Sequence, residues 1–271
     1  MNEQRIRLDG QDIAFTESAG AGHTVILVHG NSCSSRVWRP LMGGSFGQRF
    51  HCLALDLPGH GDSAPARDAG LYSMPWFASL VADFAGATSA QDAVLVGWSM
   101  GGHAVIEAAP ALPEAAGLVF FGTPPVTDPA DLEKAFLPNP AMSVAFTAAV
   151  DADLARSYAA SFLAPGSMVP TDGFVEDILR TDGAARAGLF TSAQAGRLGD
   201  EIAILAELNR PLAVLHGEHD QLINLEYLRQ VTMPTLWRQA VQVLPGVGHA
   251  PQVEAPDAFA DVLTQFLTDV D

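Results

Sequence analysis

The sequence predicts an α/β protein, a mainly parallel β-sheet with helices on both faces and a long helical insertion. Three observations carry that reading. Short apolar runs rich in β-branched residues, such as Thr24–Val28 and Gly117–Phe121, alternate with helical segments, as strands buried on both faces of a parallel sheet do. Several of these runs end in glycine and polar residues, at the strand ends where open α/β sheets hold ligands. The alternation stops at about residue 123 and resumes near 209. The expected organisation is therefore a core of residues 1–122 and 209–271, with residues 123–208 inserted as a helical lid.

The elements follow in order. Residues 5–8 and 13–17 alternate around Asp9-Gly10, a hairpin pattern. Thr24–Val28 is a buried strand ending in His29-Gly30-Asn31-Ser32, and a short helix is expected within 37–45. A strand at 52–55 leads into the turn-rich Asp56-Leu57-Pro58-Gly59-His60-Gly61, followed by a helix at 74–85. A strand ending at Gly97 turns through Ser99 into a helix at 100–109, and Gly117–Phe121 is the next strand. The insertion has helical periodicity broken by Pro138, Pro140, Pro165, Gly166 and Pro170. Its apolar residues, among them Phe136, Phe146, Leu154, Tyr158, Leu179 and Phe190, are candidates either to line an acyl pocket or to pack the lid onto the core. Strands at 211–216 and 241–244 and an amphipathic helix at 255–267 complete the chain.

Composition narrows the function. The 271 residues carry a formal charge of −17, which argues against nucleic acid as a partner. Two cysteines, Cys33 and Cys52, fit neither a disulfide framework nor a metal motif. No apolar signal segment opens the chain and no apolar run is long enough to span a bilayer, so a soluble cytoplasmic protein without a membrane partner is expected.

Gly97-Trp98-Ser99-Met100-Gly101 is a G-x-S-x-G turn between strand and helix. Such a sharp reversal strains the serine, and glycines two positions either side avoid a clash of side chains. A serine hydroxyl at neutral pH needs a base within hydrogen-bond reach and a carboxylate behind that base. His249, in the loop after the last strand, is the candidate base, and Asp220, after the preceding strand, the candidate acid. The chain order Ser, Asp, His is the one found with this turn. Glu218 and, more remotely, Asp128 are rival acids. His29, His60 and His103 read as structural, and His219 points elsewhere if Asp220 faces the site. The N–H groups of Met100 and Asn31 are the candidate oxyanion donors.

These pieces resemble the α/β-hydrolase superfamily over nearly the whole chain. A serine nucleophile argues against its dehalogenase and epoxide-hydrolase branches. His29-Gly30-Asn31-Ser32, Tyr72-Ser73-Met74, Gly122-Thr123-Pro124-Pro125-Val126 and Gly248-His249-Ala250-Pro251 further resemble the N-acyl-homoserine lactonases of this fold. So do Gly97-Trp98-Ser99, Gly101-Gly102-His103 and, in the insertion, Arg180-Thr181-Asp182-Gly183 with Ala185-Arg186. The resemblance implies a quorum-quenching lactonase that works without metal or cofactor on a small ester or lactone. It implies a lactone contact for Tyr158, which equally reads as packing. The family has glutamate where this chain has Asp220, and usually proline where it has Gln221, a difference that bears on acyl-chain preference. A general carboxylesterase, a carbon–carbon hydrolase, a cofactor-free dioxygenase and a non-catalytic ligand binder are the alternatives on the same fold.

Overall fold

The eight strands of the computed structural model, which describes residues 1–270, form one sheet in the order β1-β2-β4-β3-β5-β6-β7-β8. They are β1 (Asn2–Leu8), β2 (Gln11–Glu17), β3 (Thr24–Val28), β4 (His51–Leu55), β5 (Val94–Trp98), β6 (Gly117–Phe121), β7 (Leu212–Gly217) and β8 (Gln242–Leu244). β1 pairs antiparallel with β2, and β2 antiparallel with β4; every other pairing is parallel. The hairpin sits on the tight turn predicted for it, with Asp9 and Gly10 both at positive φ.

The central strands are apolar but for His216 in β7, because helices cover both faces. β5, β6 and β7 are buried at every position. The longer core helices are α1 (Met74–Ala87) and α2 (Met100–Ala108), which pack against each other, and α7 (Pro256–Asp269) at the end. Between β6 and β7 lie four more, α3 (Ala152–Ser161), α4 (Asp172–Arg180), α5 (Gly183–Gln194) and α6 (Glu201–Glu207), with short turns of helix before them.

The short helix expected within 37–45 is Arg39–Gly43; a 3-10 turn, Ser35–Trp38, precedes it, and a second short helix, Ser45–Arg49, follows the extended Gly44. Pro140–Phe146 in the insertion is a 3-10 helix, the tighter winding used for short connections.

Among the described residues no helix is long and apolar enough to cross a membrane.

Candidate active site

Three loops beyond the carboxyl ends of the parallel strands converge with α2. Ser99 follows β5 and takes φ 53°, ψ −119°, a region that L residues occupy only when their surroundings hold them there. A Cβ at Gly97 would lie 2.3 Å from the Gly101 carbonyl oxygen, and one at Gly101 would lie 2.3 Å from that of Val28. The second glycine thus makes room for β3 rather than for its partner across the turn. The Ser99 N–H donates to the Phe121 carbonyl at 2.9 Å, which fixes the turn to the end of β6.

Asp220 and His249 meet as the sequence predicts. His249 Nδ1 lies 2.9 Å from Asp220 Oδ2, and both side chains are fully buried. The other carboxylate oxygen accepts the Leu222 and Ile223 N–H groups at 2.8 and 3.1 Å. Burial alone would raise the Asp220 pKa, but the His249 ring, with His216 and the Leu222 N–H, outweighs it and holds the carboxyl below its usual range. Of the rival acids, Glu218 accepts the Gly246 N–H at 2.8 Å with its side chain half exposed, and Asp128 is exposed and caps its own turn.

The His249 imidazole is seated by contacts that sequence reasoning missed. Gly122, at φ 60°, leaves no side chain beneath the ring; a Cβ there would lie 2.6 Å from the ring carbon Cε1. The Trp98 indole donates to the His249 carbonyl at 2.8 Å, with its ring 5.6 Å from the imidazole. Phe162, from the insertion, packs against Trp98 and lies 6.0 Å from the imidazole, and its carbonyl accepts the Ala250 N–H. Ser99 and His249 therefore share neighbours, residue 98 beside one and Gly122 beneath the other. No hydrogen bond joins the Ser99 hydroxyl to the ring, a link that in unliganded sites is often long and tightens when substrate binds.

Ser99, Met100, Asn31 and Tyr158 all line one cavity of about 690 Å³, the size of a site for a small organic ligand. Met100 opens α2, so its N–H has no intrahelical partner. The Asn31 side chain is not free: Nδ2 donates to the Ala145 carbonyl at 2.8 Å. Tyr158 is buried against Phe162, ring centroids 4.6 Å apart, and burial raises its pKa far above the usual phenol. From the insertion, Leu132, Phe136, Phe146 and Leu189 line the same space; Leu154, Leu179 and Phe190 do not line it and, like the outer part of Phe146, are exposed.

His29 and His60 order loops, as expected. The His29 ring accepts the Leu57 N–H and donates to the Gly30 carbonyl. His60 Nδ1 meets the Pro58 carbonyl at 3.0 Å, and burial drives the His60 pKa down to about 3. His103 is held by a buried carboxylate at the cavity wall. It lines the cavity with Glu107 and Glu201, its Nδ1 is 2.8 Å from Glu201, and Glu107 accepts the Gly199 N–H. His103 and Glu107 lie four and eight residues beyond Ser99, on one face of α2, a spacing visible in the sequence.

Residues 25–262 match the Alpha/beta hydrolase family. The chain belongs to that family. Among curated proteins it is 27% identical to the pimeloyl-[acyl-carrier protein] methyl ester esterase of Nitrosomonas europaea, over 90% of this chain and 95% of that one. It is 30% identical to the enzyme of that name from Xanthomonas campestris pv. campestris, over 92% and 96%. Among solved structures it superposes on a serine-to-glycine variant of the N-acyl homoserine lactonase AidH complexed with N-hexanoyl homoserine lactone. The TM-score is 0.95 at 33% identity, covering 100% of this chain and 98% of that one. AidH complexed with N-butanoyl homoserine matches at the same TM-score and identity, covering 100% and 97%.

Proposed function

We propose that this protein is a serine hydrolase that opens the lactone ring of N-acyl-homoserine lactones, with Ser99 as nucleophile, His249 as base and Asp220 as its orienting acid. The observation that supports it most is the full-length likeness to AidH, at TM-score 0.95 with the insertion included. Two esterases among the solved structures, at 21 and 22% identity, stand at 0.83 and 0.84 and speak only for the fold.

In the proposed reaction His249 takes the Ser99 proton as the hydroxyl oxygen attacks the lactone carbonyl. The N–H groups of Asn31 and Met100 hold the resulting oxyanion. Asp220 accepts the imidazole Nδ1–H, which fixes the tautomer and stabilises the imidazolium. As the tetrahedral intermediate collapses, the ring C–O bond breaks and the leaving oxygen takes the proton from His249. This gives an acyl-enzyme with the opened homoserine still attached. Water, deprotonated by His249, then attacks the same carbonyl, and Ser99 leaves with that proton to release N-acyl-homoserine. The insertion serves as the lid, its Leu132, Phe136, Phe146 and Leu189 enclosing the acyl chain and Tyr158 facing the lactone.

The curated relatives favour a second reading, a carboxylesterase acting on linear acyl esters at the same site. Hydrolysis of a series of N-acyl-homoserine lactones beside p-nitrophenyl esters, with products identified by mass, separates the two. The lactonase reading expects ring opening with addition of one water, abolished along with fluorophosphonate labelling in Ser99→Ala. Ester turnover without lactone opening leaves the second reading alone.

A further inference from the structure

The loop that carries Asn31 is tied to the insertion by a closed ring of hydrogen bonds, three of them buried. Arg186 Nη1 donates to Ser32 Oγ at 3.2 Å, Ser32 Oγ donates to Asn31 Oδ1 at 2.9 Å, and Asn31 Nδ2 donates to the Ala145 carbonyl at 2.8 Å. The ring closes through Arg186 Nε, which donates to the Thr147 carbonyl at 2.7 Å, two residues past Ala145. Arg186 also donates to the carbonyls of Ala148 and Ile178. Arg186, Ser32 and Asn31 are all buried.

Two features set this ring apart from ordinary packing. The partners that receive hydrogen bonds from Arg186 are three backbone carbonyls, from two stretches of the insertion, and a hydroxyl, none of them a carboxylate. A buried guanidinium is costly to desolvate, so its retention without a carboxylate hydrogen bond breaks a local rule of the kind functional sites break. Ser32 in turn holds φ 59°, the left-handed region that favours glycine. It does so in a turn closed by the Cys33 N–H on the Gly30 carbonyl at 3.2 Å. Glycine would fit that turn with less strain, so what the serine adds is its hydroxyl, and that hydroxyl links Arg186 to Asn31.

We propose that Arg186 is a positioning residue for the oxyanion donor: acting through Ser32, it fixes the orientation of Asn31, so that the donor is formed only when the insertion is folded against the core. The inference rests on the proposed serine-hydrolase reading and deepens it. The geometry of a developing oxyanion tolerates little misplacement, since donors must lie near 2.7–3.1 Å from it. A loosened Asn31 therefore lowers turnover more than substrate binding.

The deciding variant is Ser32→Gly, which deletes the link and relaxes the backbone. With a p-nitrophenyl ester the wild type turns over, kcat is expected to fall by about tenfold or more, with KM within about threefold and Tm little changed, the relaxed backbone offsetting the lost hydrogen bonds. Affinity for a boronic acid that mimics the tetrahedral adduct is expected to fall with kcat/KM. Arg186→Lys, which cannot reproduce the planar fork, is expected to lower kcat strongly in the wild type but much less in the Ser32→Gly background. A Ser32→Gly enzyme with kcat within twofold of wild type overturns the proposal, whether or not the Arg186 variant folds. An equal loss from Arg186→Lys in both backgrounds also overturns it. Ser99→Ala is the control: if it retains hydrolysis the serine-hydrolase reading fails, whereas a dead Ser99→Ala beside an unaffected Ser32→Gly sinks only the positioning role.

Discussion

Replacing Asp220 by asparagine should remove nearly all activity while leaving the fold in place, because of how the carboxylate is held. Oδ1 accepts two backbone N–H groups, from Leu222 and Ile223, and Oδ2 faces His249 Nδ1. An asparagine can keep only one oxygen. Placing the amide nitrogen toward Leu222 and Ile223 would set donor against donor twice and leave two buried N–H groups unpaired. The amide is therefore expected to keep its oxygen there and turn its NH2 to the imidazole. Nδ1 must then act as acceptor, the proton moves to Nε2, and the nitrogen meant to take the Ser99 proton already carries one. Loss of the correct tautomer in this arrangement costs about 10⁴ in kcat, which is about 5 kcal/mol of barrier, with little change in KM. Asp220→Glu, which keeps a carboxylate, should retain far more of the activity. Steady-state hydrolysis of a p-nitrophenyl ester and of a homoserine lactone measures all three. An Asp220→Asn enzyme within tenfold of wild type would refute the reasoning and remove Asp220 from the acid's role.

Gly122→Ala should displace the imidazole, because its methyl would lie 2.6 Å from the ring and its φ is 60°; a loss of about 10²-fold in kcat is expected, with about 1 kcal/mol or more of stability lost to the left-handed backbone, and denaturation beside kinetics would reveal both. Burial raises the Glu107 pKa to about 7 from 4.5, so the folded state holds a proton that the unfolded chain has released and stability falls as pH climbs between those values. Burial lowers the His103 pKa, but the Glu201 carboxylate more than offsets it and the net shift is upward from 6.5; its contribution is complete below 6.5 and is lost as pH rises through the raised value. Burial lowers the pKa values of His29, His60 and His216, which act in the opposite sense below pH 6.5, so the readout is a difference: the melting temperature of Glu107→Gln relative to wild type should rise from pH 5 to 7, and a constant difference would count against the Glu107 shift.

The strands could be read from the sequence because burial on both faces forces unbroken apolar runs, and β6 appears with the bounds expected, Gly117–Phe121. The Asp220–His249 pair could be read because each residue follows a strand, and parallel strands deliver their loops to one end. What could not be read depends on contacts between residues far apart in sequence. Nothing local marks Gly122 as the seat of an imidazole supplied 127 positions later, or Arg186 as the partner of Ser32. The insertion was least legible. Leu154, Leu179 and Phe190 keep helical spacing yet are exposed, because periodicity reports an amphipathic face and not what covers it.

The insertion nevertheless touches each of the loops that build the candidate site. Its Ala145 and Arg186 hold the Asn31 loop, and its Phe162 carbonyl holds the backbone beside His249. Asp182 accepts the Tyr72 hydroxyl at 2.7 Å, and its N–H donates to the Gly59 carbonyl. Shared strands and a G-x-S-x-G turn say only that a serine can be made reactive. A segment that both lines the cavity and bonds to the Asn31 and His249 loops cannot change its pocket without moving those loops. Likeness in the insertion therefore constrains the substrate more than likeness in the sheet does. That is why the degree of likeness over the whole chain, 0.95 for AidH against 0.83 and 0.84 for esterases that cover as much of it, weighs in the proposal of lactone opening.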